Sequence, residues 1–208
     1  MAKQQQVIME DDYKSILDYE TKTAQIITFK VLERPELSAW MILMPIVFIL
    51  FMQRHQKYYQ SSKGFSAGYL YTKKIALDTA YRIYNHQISR EEAQKSVAKT
   101  IVKNPDAEAV VLNIYCQQIE EIKVVYEHYL ALLSSKETRH DQMVVSYYRT
   151  EDNYLDYVKR LTEAELAVTI AATANFKEAE VEVPEIMEKM EKYLIELRLE
   201  EANRFFTQ

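Results

Sequence analysis

Glycine is almost missing from this chain. Only 2 of 208 residues are Gly, and both, Gly64 and Gly68, fall in one short stretch, against a usual share of ~7%. Tight hairpins draw on Gly at positive φ, so an all-β fold is not expected. Proline is scarce too, at 4 residues. Helical bundles joined by short polar connections need little of either, and the composition predicts an all-α fold. The single cysteine, Cys116, excludes an intramolecular disulfide and suits a reducing compartment.

Several chemistries are missing with these residues. Two glycines cannot build a Walker A loop or a Gly-x-Gly-x-x-Gly turn, and no Gly-x-Ser-x-Gly elbow occurs. The four histidines are His55, His86, His128 and His140. None stands four residues from another, so the His-Glu-x-x-His zinc pattern is absent. Cys116 falls mid-helix without a basic neighbour in sequence and reads as a small buried apolar residue, not a nucleophile. His128 reads as a surface residue beside Glu127. No catalytic residue is expected.

Charge is missing from one stretch only. Residues 37–53, LSAWMILMPIVFILFMQ, hold no ionisable side chain, with Glu36 before them and Arg54 after. At 1.5 Å per residue they reach roughly 25 Å as a helix, the short limit for crossing a hydrocarbon core of about 30 Å. Trp40 lies near one end, and Arg54, Lys57, Tyr58 and Tyr59 lie at the other, as interfacial anchors would. Pro45, Phe48 and Phe51 sit inside the run. The expectation is a single-pass membrane helix with these eight residues in contact with lipid. Pro45 admits a second course, a broken helix that dips into one leaflet and returns; a buried core helix is the third. The run does not read as a cleaved signal, because acidic residues precede it and no small-residue cleavage site follows.

The charge gradient supports a membrane address. Residues 54–103 carry ten basic and three acidic side chains, while residues 104–208 carry eleven basic and twenty-one acidic. Basic residues beside a spanning helix stay in the cytoplasm and attract anionic lipid. The expected orientation puts residues 1–36 outside and the C-terminal domain in the cytoplasm. The acidic balance of that domain argues against nucleic acid.

The expected organisation is an amphipathic tail (1–36), a membrane helix (37–53), a basic linker (54–65) and a cytoplasmic antiparallel bundle (66–208). Within the bundle, Ser89 and Glu92 form a capping box that opens a helix reaching about residue 103. A long helix from Pro105 carries the stripe Val111, Ile114, Gln118, Ile122, Val125, Tyr129 and Leu132, with coiled-coil-like spacing. Ser134 and Glu137 suggest another cap, opening a helix over 136–173 that breaks near 149–153. Its inner face holds Leu155, Val158, Leu161, Leu166 and Ile170. A last helix from Pro184 turns Ile186, Met190, Leu194 and Leu197 inward. Sixteen tyrosines suit either a Tyr-built core or a protein interface.

The function expected from this pattern is a non-enzymatic membrane-anchored adaptor, scaffold or accessory subunit. Its partners would be lipid and proteins or further copies of itself, with no cofactor. The alternative is a carboxylate-bridged, ferritin-like metal bundle with redox activity. The step Glu137-Thr-Arg-His140 is half of such a motif, and Glu127 or Glu165 could add a carboxylate.

Overall fold

A computed structural model describes the backbone of residues 2–32, 62–173 and 182–207, and the side chains within 10–27, 69–172 and 191–207. Every regular element among them is a helix. They are α1 (Ala2–Leu32), α2 (Ser62–Tyr84), α3 (Arg90–Ile101), α4 (Ala109–Leu133), α5 (His140–Tyr148), α6 (Glu151–Thr173) and α7 (Glu182–Phe206). The charge-free run and all eight expected lipid contacts, Trp40, Pro45, Phe48, Phe51, Arg54, Lys57, Tyr58 and Tyr59, lie outside the described residues. Among the described residues, no helix is long and apolar enough to cross a membrane.

Five long helices close a ring. Contacts run from α1 to α2, α2 to α4, α4 to α6, α6 to α7, and from α7 back to α1. Side-chain pairs give the directions. Tyr13 meets Tyr81 and Asp78, while Glu20 meets Tyr69, so α1 and α2 are antiparallel. Tyr129 meets Glu20, and His140, beyond the end of α4, meets Ser15; α4 therefore also opposes α1 and runs with α2. The short α3 returns the chain between them. Ile114 packs with Ala171 and Ala172, while His128 stacks on Tyr157, which sets α6 against α4. Arg198 reaches Glu165, and Phe205 reaches Tyr154, which sets α7 against α6. One end of the ring thus holds the end of α1 and the starts of α2, α4 and α7. The other holds α5 and the start of α6.

The tail expected at residues 1–36 supplies α1 to this ring. Ile16, Ala24 and Ile27 are fully buried, and Ile16 joins the same core cluster as Leu77, Ile122, Tyr129 and Phe205.

The seam of α4 lies inside as its spacing predicts. Ile114, Gln118, Ile122, Val125, Tyr129 and Leu132 are buried, with Val111 half-buried. Ser89 caps α3: its hydroxyl accepts from the Glu92 N–H, and the Glu92 carboxylate accepts from the Ser89 N–H. Three local expectations change. The long helix starts at Ala109, not Pro105, because the Asn104 side chain accepts from the Asp106 N–H and its carbonyl from the Ala107 N–H, forming a turn. Ser134 closes α4 instead of opening the next helix, its N–H bonding back to Leu130. The helix expected from 136 starts at His140, and its expected break near 149–153 falls at Arg149, with φ 65°, dividing it into α5 and α6. That left-handed geometry is unusual for a residue with a Cβ and turns the chain between Tyr148 and Glu151.

Side-chain placement brings further corrections. Ile170, expected inside, is 58% exposed. Cys116 is exposed, pointing off the polar face of α4. His128, read as a surface residue, is buried. Leu194, Leu197 and Phe205 face inward; the side chains of Ile186 and Met190 lie outside the described ones.

Candidate functional site: a charge cluster at the centre of the ring

Each of the five long helices turns at least one charged side chain into the middle. Glu20 comes from α1, Lys73 from α2, Glu121 from α4, Glu165 from α6, and Arg198 and Glu201 from α7. All but Glu165 are less than a tenth exposed, and the Glu165 side chain is 20% exposed. The Lys73 ammonium lies 3.0 Å from Glu165 Oε1 and 3.5 Å from Glu121 Oε1. Arg198 grips the other face of Glu165 with two parallel hydrogen bonds of 2.7 and 2.8 Å. This is the bidentate fork that guanidinium makes with carboxylate. Thr162 and Thr72 add hydroxyls to Arg198 and Glu121.

Phenols complete the cluster. The Tyr129 and Tyr69 hydroxyls donate to the two oxygens of Glu20, at 2.7 and 3.4 Å. The Tyr19 hydroxyl donates to Glu201, whose other oxygen faces Arg204 at 3.6 Å. Tyr19, Glu20, Tyr69, Lys73, Arg198 and Glu201 line a cavity of about 30 Å³, large enough for a single water. The six groups are four carboxylates and two cations, so the interior cannot hold all of them charged in balance. Burial raises Glu20, Glu121 and Glu201 above the usual carboxylate range, against the pull of Lys73 on the first two and of Tyr19 and Arg204 on the third. Burial pushes Glu165 up too, but Arg198 and Lys73 outweigh it and hold it down at about 2. Burial lowers Lys73, and Glu165, Glu121 and Glu20 more than restore it. The two cations thus favour the charged form of Glu165, while burial favours the neutral form of the other three carboxyls.

A buried ion pair gains stability only when its geometry offsets the loss of water. Here the bidentate fork, the lysine and the hydroxyls supply that geometry. Contributions from five helices mean that no single helix can slide or rotate without stranding a charge. The cluster thus ties all five long helices together through polar contacts.

Of the two buried histidines, His128 lines the same cavity, and His140 lies outside that lining. His128 Nδ1 lies 2.8 Å from the Tyr148 hydroxyl, and its ring stacks on Tyr157 at 4.0 Å. His140 stacks on Tyr19 at 3.6 Å, and its Nε2 has no hydrogen-bond partner among the described residues. Burial keeps both imidazoles neutral, lowering His128 well below the ordinary histidine value and His140 to about 3.

The Glu137/His140 step is not assembled as a ligand pair. Glu137 sits in the connection before α5, so the two do not share a helix face. Glu127 is exposed, and both oxygens of Glu165 are taken by Arg198 and Lys73. Among the described residues, no group of three or more His, Cys, Asp or Glu side chains is placed to hold a metal ion. These donors do not fit a carboxylate-bridged metal pair.

Sequence reasoning reached Glu165 as a carboxylate but missed its companions. A signal was present: Glu121 lies on the buried side of α4 beside Gln118 and Ile122, and Lys73 precedes the buried Ala76, Leu77 and Ala80. Among the described tyrosines, Tyr13, Tyr19, Tyr71, Tyr81 and Tyr84 pack partly buried against the core. Tyr115, Tyr126, Tyr129, Tyr148, Tyr154 and Tyr157 are buried, and Tyr147 is 52% exposed. The basic block is spread along the ring. Arg82, twenty residues beyond the start of α2, lies about 30 Å along its axis from Ser62, and its guanidinium meets Ser96 of α3.

A scan against protein families finds no match, and neither the curated proteins nor the solved structures contain a significant relative.

Proposed function

We propose that the chain is a non-enzymatic, membrane-attached adaptor or accessory subunit whose whole bundle stands on one side of the bilayer. The observation that carries this reading is the antiparallel pairing of α1 and α2 on either side of the charge-free run. A run that crossed once would put α1 and the other six helices on opposite faces. Yet Ile16 shares a core with α2, α4 and α7, and Glu20 bonds to Tyr129 of α4. In this reading the chain that joins α1 to α2 returns to the membrane face it left, in place of a single crossing. Irregular backbone within a membrane is tolerated where protein or water covers it.

The remote end of the ring supports the partner-holding role. There Tyr147, Tyr148, Asn153, Asp156, Lys159, Arg160 and Glu163 line an open groove of about 640 Å³. Tyr147 and Arg160 are of the residue types enriched at protein contacts, and the other charges suit a polar rim. Two measurements on the full chain test the reading. Alkaline carbonate should leave it in the membrane pellet, and deletion of residues 37–53 should release it together with any crosslinked partner. Release of the intact chain by carbonate refutes membrane attachment. A partner that stays on the membrane without the chain refutes the adaptor role.

A further inference from the structure

The groove at the far end of the ring has chemistry behind it. Tyr148 forms part of its wall and is 7% exposed. Its hydroxyl meets His128 Nδ1 at 2.8 Å in the interior. Among the described residues, Nδ1 is the phenol's hydrogen-bond partner. In the tautomer that carries the imidazole proton on Nε2, the Tyr148 hydroxyl donates to Nδ1. Neutral imidazole is a base waiting beside an acid it does not deprotonate at rest.

Around this pair the aromatic rings are continuous. Tyr147, half in solvent, lies edge-on to Tyr148 with centroids 4.9 Å apart. Tyr148 is 5.3 Å from Tyr154 and 5.8 Å from Tyr157. Tyr157 stacks on His128 at 4.0 Å. A phenol is hard to oxidise while it keeps its proton, because the radical cation is a very strong acid. A base already hydrogen-bonded to the hydroxyl removes that obstacle.

We propose that Tyr148 and His128 form a one-electron redox site, in which a high-potential acceptor docked in the groove draws an electron from Tyr148 while the phenolic proton passes to His128. The oxidant belongs to the class of small one-electron acceptors, such as a metal complex or a peroxyl radical. It gains the electron, either from Tyr148 or through Tyr147. The O–H bond of Tyr148 breaks, an N–H bond forms at His128 Nδ1, and the products are a neutral tyrosyl radical and an imidazolium. Return of one electron from a reductant sends the proton back and restores the pair. Burial of Tyr148 and His128 limits the access of water and thiols that would quench the radical, while Tyr147 keeps a route to the surface.

Flash-generated tris(bipyridine)ruthenium(III), added to the full chain in detergent, tests this. The expected product is a long-lived neutral tyrosyl radical, read by transient absorption and electron paramagnetic resonance. Tyr148→Phe should lose the signal, and Tyr154→Phe should keep it. His128→Gln, which can accept a hydrogen bond but is a far weaker base, should lose it as well, with thermal melting showing that the bundle is still folded. The wild-type chain gives a reading without any substitution: isotopic labelling of histidine nitrogen should alter the double-resonance spectrum of the radical. An undiminished signal in Tyr148→Phe or in His128→Gln overturns the proposal. So does a wild-type radical without a histidine nitrogen coupling.

Discussion

Replacing Arg198 by methionine removes one cation from the centre of the ring and keeps most of the side-chain volume. Glu165 then loses both hydrogen bonds of the fork and keeps only Lys73, which it shares with Glu121. Breaking a buried pair from one side typically costs about 3–5 kcal/mol, because the partner stays buried and uncompensated. A total stability of about 5–15 kcal/mol leaves the variant marginal. At roughly 2–4 °C per kcal/mol for a chain of this size, its Tm should fall by about 6–20 °C. Changing both partners, Arg198→Met with Glu165→Leu, strands no carboxylate and should recover much of the loss, since apolar replacement of a buried pair is often neutral. Acid should narrow the gap between Arg198→Met and wild type. Glu165 is depressed in the folded chain, so its contribution is present above the unfolded value near 4.5 and disappears as pH falls toward about 2. Thermal melting of the four chains of the double-mutant cycle, repeated across that pH range, reads all of this. A loss under about 1 kcal/mol for Arg198→Met, or a double variant that loses the sum of both singles, refutes the charge-cluster reasoning.

Other outcomes follow from the same packing. Ile122→Asp places a carboxylate at a fully buried position and should cost several kcal/mol. Lys123→Asp, at a side chain 40% exposed and paired only loosely with Glu120, should stay within about 1 kcal/mol; equal melting losses would refute the face assignment. Ser89→Ala should lower stability by about 1 kcal/mol through the missing cap, and no change in denaturant midpoint would count against the capping box. Acid should also unfold the chain through its histidines. His140 and His128 are depressed by burial, so the unfolded chain binds more protons, and stability falls as pH drops below about 6.5 and on toward about 3 for His140. His140→Phe should flatten that slope between pH ~6.5 and ~4; a slope unchanged from wild type would contradict the burial argument.

The fold was legible where a single helix carries its own pattern. The stripe from Val111 to Leu132 needs no outside information, since a 3.5-residue apolar period has one buried side. Ser89 and Glu92 mark a helix start through bonds that span three residues. Legibility ended where the decisive contact is remote. Glu20 is one acidic residue among many until Tyr129, 109 positions away, donates to it. Arg198 and Lys73 belong to helices of ordinary composition, and nothing local says that Glu165 lies between them. His128 follows the exposed Glu127 and faces inward only because α6 covers it with Tyr157. The packing of α1 was hidden for the same reason: its apolar residues are sparse, and the polar ones among them, Glu20 and Thr23, are buried beside them.

The proposed placement of both flanks on one side of a membrane is tested most directly by thiol labelling in sealed vesicles. Cys116 is exposed on α4 and reports the side of the main bundle. Lys14→Cys in a Cys116→Ser background reports the side of α1, where Lys14 is exposed. An impermeant maleimide should reach both positions in vesicles of one orientation and neither in vesicles of the other. Labelling of Cys116 from one side and of Lys14→Cys from the opposite side would establish a single crossing and contradict the account.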